Sequence, residues 1–204
     1  MKHLTYIIPA CILAFTACSN NPDGKITATN GQEQTTLTPF RISSTDFKEG
    51  DTISEVNTCD STNISPELHW NNPFNNTASF ALIVEDPDAP MGTVTHWTLY
   101  NIPAKDTVLK RNTPKDSVLE NGAKQGITTF GTLGYGGPCP PNGAHHYHFK
   151  LYALDATLPY PAGLSKNKLL NSMKGHILAE ADLVGLYKKK KGYSRIESGG
   201  QGLK

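Results

Sequence analysis

The chain is 204 residues long with a formal net charge of +1, enough for one domain and appended segments. Its 18 glycines and 14 prolines, with a negative mean hydropathy, point to a turn-rich, β-leaning domain. Near-neutral charge argues against a general nucleic-acid binder, and the lack of an internal repeat argues against a solenoid.

Residues 1–17 read as a signal peptide. Lys2 supplies the positive start. The run Leu4–Ala17, weakened by Pro9, would span only about 21 Å as a helix against a hydrocarbon core of roughly 30 Å. The pair Thr16-Ala17 before Cys18 resembles a bacterial lipobox, in which Cys18 takes lipid and becomes the new N-terminus; Phe15 stands where such motifs usually carry Leu. The alternative is an ordinary leader cleaved after Ala17. Of 19 basic residues only Lys2 leaves with the leader, so 18 remain against 18 acidic ones and the mature chain is formally neutral. Residues 18–38 carry almost no large apolar side chain and no period, and read as a lipidated tether with an r.m.s. reach near 25 Å.

The domain is expected over 39–191. Phe40-Arg41-Ile42-Ser43-Ser44 alternates like an early strand, and Glu67-Leu68-His69-Trp70 is a short strand after turn chemistry from Thr58 to Pro66. Ser79-Phe80-Ala81-Leu82-Ile83-Val84-Glu85-Asp86 is apolar on both faces until its end, the pattern of a central covered strand. Pro87 stops its pairing and leaves Asp86 and Asp88 at the strand mouth. Thr95 to Ile102 is the next strand, with His96 near its start. Residues 103–135 read as long ordered loops.

Gly136 to Gly143 is a Gly/Pro loop too poor in donors for helix or strand, and it runs into the strand His145–Leu154. Ser165 is placed to cap a helix carrying Leu169, Leu170 and Met173. Beyond Gly175 a second helix is expected over His176–Tyr187, with Ile177, Ala181, Val184 and Tyr187 along one face and Lys188–Lys191 at its C-terminal end. Residues 192–204 read as a flexible tail.

Period two along the strand from His145 sets His145 and Tyr147 on the face of Phe149, Leu151 and Ala153, pointing inward. It leaves His146 and His148 beside Lys150, more exposed. Four chemistries compete for this stretch. Zinc would need His, Asp86, Asp88 and His96 to converge, but the spacing matches no zinc signature. Hydrolysis would need a Gly-x-Ser-x-Gly elbow or a nucleophile with a paired base, and neither is evident, so no enzyme activity is expected. An anion pocket would use imidazoles and the Tyr hydroxyl as donors, with a carboxylate fixing one imidazole tautomer. A purely structural polar cluster is the fourth. Cys59 and Cys139 remain once Cys11 leaves with the leader and Cys18 is acylated. If bonded they would close a loop of about 80 residues, worth roughly 4 kcal/mol in the chain-entropy model; bonded and free states both stay open.

Asp86-Pro87-Asp88-Ala89-Pro90 followed by His96-Trp97 resembles the first signature of the phosphatidylethanolamine-binding protein family, also called Raf kinase inhibitor proteins. Gly137-Pro138-Cys139-Pro140-Pro141-Asn142-Gly143 followed by His145-His146-Tyr147 resembles the second. The likeness runs from about Phe40 to Lys190 and is nearest to the small bacterial branch. It implies a mainly β fold, a sandwich with a large central antiparallel sheet, a smaller second sheet and short C-terminal helices. It also implies a pocket for phosphate-like anions or a phospholipid headgroup such as phosphoethanolamine, lined by Asp86, His96, His145 and Tyr147, with Asp88, Cys139 and Pro140 at its rim. His146 stands where the family usually carries Arg. No cofactor or metal is implied. The expected partners are the small anionic ligand, the membrane of a bacterial envelope through lipid on Cys18, and, as the alternative function, a kinase or protease inhibited through the pocket rim.

Overall fold

The computed structural model describes residues 38–190. The expected leader, Cys18, the tether up to residue 37 and the tail lie outside the described residues.

Strands β1 (Ile42–Ser44), β2 (Leu68–Trp70), β3 (Ser79–Asp86), β4 (Val94–Pro103), β5 (Val108–Leu109), β6 (Lys124–Gln125), β7 (Ala144–Leu154) and β8 (Ile177–Lys188) form two antiparallel sheets, accompanied among the described residues by one α-helix, α1 (Lys166–Met173), and a single 3-10 turn at Glu55–Asn57. The larger sheet has the order β6-β4-β3-β7-β8 and the smaller the order β1-β2-β5. The expected mainly β architecture of one large central sheet and one smaller sheet is the one the chain adopts.

β3 lies at the centre because its sequence has no polar face to give to water. Phe80, Leu82 and Val84 point into the main core with Trp97, Leu99, Phe149 and Leu151. Ala81 and Ile83 point the other way, under a second cluster made by Tyr100, Tyr152, Leu158, Leu169 and Met173. Burying each large apolar side chain contributes about 1.5–3 kcal/mol, so both faces stabilise this strand. α1 closes the second face, and Lys166 at its start reaches Glu85 of β3 at 2.7 Å. Ser165 stands at its N-cap with extended backbone, but its side chain makes no capping bond.

The second helix expected over His176–Tyr187 does not form; β8 runs there instead, paired with β7 from Ala144↔Lys188 to Leu154↔Ile177. Ile177, Ala181, Val184 and Tyr187 fit a helical period, but the same stretch also alternates: Ala181, Leu183, Gly185 and Tyr187 are buried, with exposed or half-buried residues between them. Pairing along an eleven-residue partner outweighs the weak local helix preference. Gly185 shows the same outcome, since a Cβ there would lie 2.5 Å from Ile53 Cγ1 and 2.7 Å from a Phe47 ring carbon. Lys188–Lys190 therefore end a strand rather than a helix; the Lys190 ammonium pairs with Glu55, and its amide donates to Asp60 at 2.9 Å.

β4 carries two more residues than the eight of β3, and the surplus is taken up in two irregularities of register, between Phe80/Leu82 and between Val84/Glu85. The second falls at His96: Val84 pairs with Trp97, while Glu85 pairs with Thr95. Such a bulge re-aims a side chain. Here it sends His96 and the adjacent Trp97 toward the same side of the sheet, His96 against Tyr147 and Trp97 into the main core.

Candidate functional site

Where three core rows run out, their last members are polar. On β3 the row Phe80-Leu82-Val84 ends in Asp86, and on β7 the row Ala153-Leu151-Phe149 ends in Tyr147 and His145. β4 contributes His96 through its bulge. All four are at least nine-tenths buried.

Each oxygen of Asp86 accepts one bond from the protein, leaving acceptor capacity to spare. Its Oδ1 accepts the Asp88 amide at 2.9 Å, an Asx turn forced by Pro87, and its Oδ2 lies 2.8 Å from His145 Nδ1. A carboxylate only accepts, so Nδ1 of His145 carries the proton. His96 is held twice by one residue: its Nδ1 donates to the Gly136 carbonyl at 2.6 Å, and its own carbonyl accepts the Gly136 amide at 2.9 Å. That fixes the tautomer and leaves Nε2 of His96 free of protein partners among the described residues. Burial pushes the His96 pKa below its ordinary 6.5, opposed by the Gly136 carbonyl and the Asp86 charge. The ring meets Tyr147 edge-on at 5.2 Å and Phe130 at 5.6 Å. Tyr147 is 1% exposed, and its hydroxyl has no hydrogen-bond partner. Burial, then the neighbouring Asp86 charge, raises its pKa well above the usual phenol value.

A cavity of about 250 Å³ opens over these groups. Asp86, His96 and Tyr147 are its polar lining, and Pro90, Met91, Val94, Phe130, Pro140 and Pro141 supply apolar walls together with Cys139. No Lys or Arg lines it. Hollows of 540 Å³ beside β1 and β8 and 680 Å³ among the loops of residues 106–121 are larger, but neither is lined by a buried ionisable side chain. Among the described residues no group of three or more His, Cys, Asp or Glu side chains is disposed to hold a metal ion.

The expected site residues therefore separate. Asp86, His96, Tyr147, Cys139 and Pro140 share the cavity, while His145 stands behind Asp86 and reaches the cavity only through it. Asp88 turns outward to accept both the amide and Nδ1 of His146, at 2.8 and 2.7 Å, in an exposed pair that holds its carboxyl below the usual range. His146 and His148 are on the outer face, as period two requires, and His148 meets Asp182 at 2.7 Å. Sequence reasoning missed Gly136 and Phe130. Their roles arise from a long loop folding back on β4, which no local pattern signals.

Cys59 and Cys139 are bonded, with Cα atoms 5.4 Å apart. The loop around Cys139 is laid against residues 57–63: the Cys59 amide donates to the Pro138 carbonyl at 3.1 Å, and the Gly137 amide donates to Asn63 Oδ1 at 2.7 Å. Gly137 packs so closely on the Asn57 carbonyl that no side chain fits there.

The profile of the family described as phosphatidylethanolamine-binding protein matches residues 43–188. A UPF0098 protein of Methanothermobacter thermautotrophicus is 48% identical over 143 residues, spanning 70% of this chain and 95% of the relative. A UPF0098 protein of Aquifex aeolicus is 46% identical over 153 residues, spanning 74% and 89%. Among solved structures, the phosphatidylethanolamine-binding protein homolog CT736 of Chlamydia trachomatis superposes with a TM-score of 0.69 at 36% identity, covering 74% of this chain and 98% of its own. YbcL of E. coli gives a TM-score of 0.69 at 34% identity, covering 75% and 100%.

Proposed function

Since the chain belongs to the phosphatidylethanolamine-binding protein family, we propose that its cavity binds a small phosphomonoester, free or as a lipid headgroup such as phosphoethanolamine, without turning it over. The observation that carries this reading is the Tyr147 hydroxyl, buried, unpartnered and on the cavity wall. Leaving such a group unsatisfied costs about 1–3 kcal/mol, which a ligand oxygen accepting its proton would recover. With no Lys or Arg in the lining, a dianion would meet Asp86 uncompensated. A monoanion fits better, because its P–OH can donate to Asp86 or to His96 Nε2 while its other oxygens accept from Tyr147. The volume suits a headgroup rather than a drug-sized molecule.

Binding without chemistry is supported by the lining itself. It holds no Ser or Thr, and its only cysteine is engaged in a disulfide. Calorimetric titration with inorganic phosphate and phosphoethanolamine tests the reading; absence of heat and of chemical-shift change at His96 and Tyr147 ends it. Release of phosphate from phosphoethanolamine on incubation would replace it with an enzyme.

Exposed apolar side chains at the cavity mouth, Met91 at 99% and Phe130 at 59%, favour a second reading, a module that inhibits a kinase or protease through this rim. A protein captured from envelope extract and released by excess phosphoethanolamine would support it. The leader and Cys18 motif place the protein, in this proposal, on a bacterial envelope membrane by a lipid anchor.

A further inference from the structure

The loop that forms one wall of the cavity is anchored unevenly. Up to Pro138 it is tied by main-chain and side-chain bonds to residues 57–63, and at Ala144 it joins the β7–β8 ladder. Between those points, residues 139–143 make no well-formed hydrogen bond to any other described residue, the nearest approach being the Cys139 main chain toward the Tyr147 hydroxyl. Two prolines there remove the donors that could have made one. The single covalent tie in the gap is Cys59–Cys139. Cys139, Pro140 and Pro141 all line the cavity together with His96 and Tyr147. Cys139 is exposed and Cys59 half-buried, so the bond is open to thiol reagents.

We propose that the Cys59–Cys139 disulfide is a redox-responsive positioning element of the cavity. Oxidised, it holds the 139–141 wall over Tyr147; reduced, it releases that wall and weakens ligand binding while the sandwich stays folded. This deepens the phosphomonoester reading and rests on it for the affinity arm alone. The reductant is a dithiol. One thiolate attacks a protein sulfur, the Sγ–Sγ bond breaks and the other cysteine leaves as a thiolate; the second reductant thiolate then attacks the mixed disulfide and displaces the remaining protein sulfur. The dithiol leaves as a cyclic disulfide, and Cys59 and Cys139 end as two thiols, each with one proton. The fold survives because both sheets are built from core contacts and ladders that do not include either cysteine.

The test uses the domain in oxidised form, after reduction with dithiothreitol, and as the Cys59→Ser/Cys139→Ser variant, at 25 °C. Inorganic phosphate is titrated into each by calorimetry, and backbone amides and the His96 imidazole are followed by NMR. Affinity is expected to fall about tenfold or more in the reduced and variant forms, since the ligand must then order the wall itself. Amide shifts should move around 139–146 and at the His96 ring, with the β3 and β8 amides unchanged, and reoxidation should restore both readouts. Equal affinity in all three forms overturns the proposal, as does global loss of amide dispersion on reduction, which would make the bond a general staple. If the oxidised form binds no phosphate, the phosphomonoester reading fails by itself. The positioning claim is then decided by His96 and by hydrogen exchange at 144–146: reduction that leaves these unmoved overturns it, and a selective change upholds it.

Discussion

At the scale of single residues, the pocket is a set of buried groups in which neighbours fix the tautomers of His96 and His145 and leave the Tyr147 hydroxyl unpaired. Tyr147→Phe removes the buried, unsatisfied hydroxyl on the cavity wall. It is expected to weaken phosphate binding about tenfold, with thermal stability unchanged or raised; equal affinity by calorimetry would remove the Tyr147 donor from the mechanism. His96 gives a pH signature of opposite sign in the two states. Its pKa in the fold lies below the unfolded 6.5, so its contribution to stability is complete above pH 6.5 and is lost as pH falls toward the folded value. Urea midpoints without ligand should therefore decline below pH 6.5, and His96→Phe should flatten that decline. Phosphomonoester affinity should run the other way from stability, strengthening as pH falls, because the complex retains a proton that a ligand with a second pKa of about 6 gives up above it. A profile flat from pH 5 to 8 would sink the shared-proton account.

Elements tell how far sequence reading reaches. β3 and β7 were legible because burial on both faces, or alternation ending in polar residues, leaves few other placements for such side chains, and the same periodicity put His146 and His148 outside. β8 was not, since 177–187 satisfies two periods and only the β7 partner chooses between them. His145 illustrates a finer limit: period two gave its face correctly, but whether it lines the cavity or stands behind Asp86 depends on where Asp86 turns. Gly185 offers a test at this scale. Gly185→Val should be tolerated by a helix surface yet forces Ile53 and Phe47 aside in the strand; a loss of roughly 1–3 kcal/mol is expected from chemical denaturation, and a neutral result would argue against the packing of β8 on the 47–53 segment.

For the whole molecule, the candidate site is the unfinished end of the main core, with Tyr147 belonging to both. The proposed leader and lipid anchor are a separate matter of address: on that proposal Cys18→Ser should move the protein from the membrane pellet to the soluble fraction and abolish labelled-palmitate incorporation, and a pellet unchanged by the substitution would remove the anchor. The surplus of β4 over β3 has a consequence of another kind, one of chain length rather than side-chain identity. Because His96 is the extra residue of the bulge, deleting it would let the Val84↔Trp97 and Glu85↔Thr95 pairs close into a regular ladder, with Val94 still on the cavity wall and the 91–94 connection unmoved. Substitution and deletion of His96 should therefore both cost ligand while the ladder stays paired, whereas deletion of the buried Trp97 should cost ligand and fold together, so a length scan across 94–97 would locate the bulge more sharply than any set of replacements.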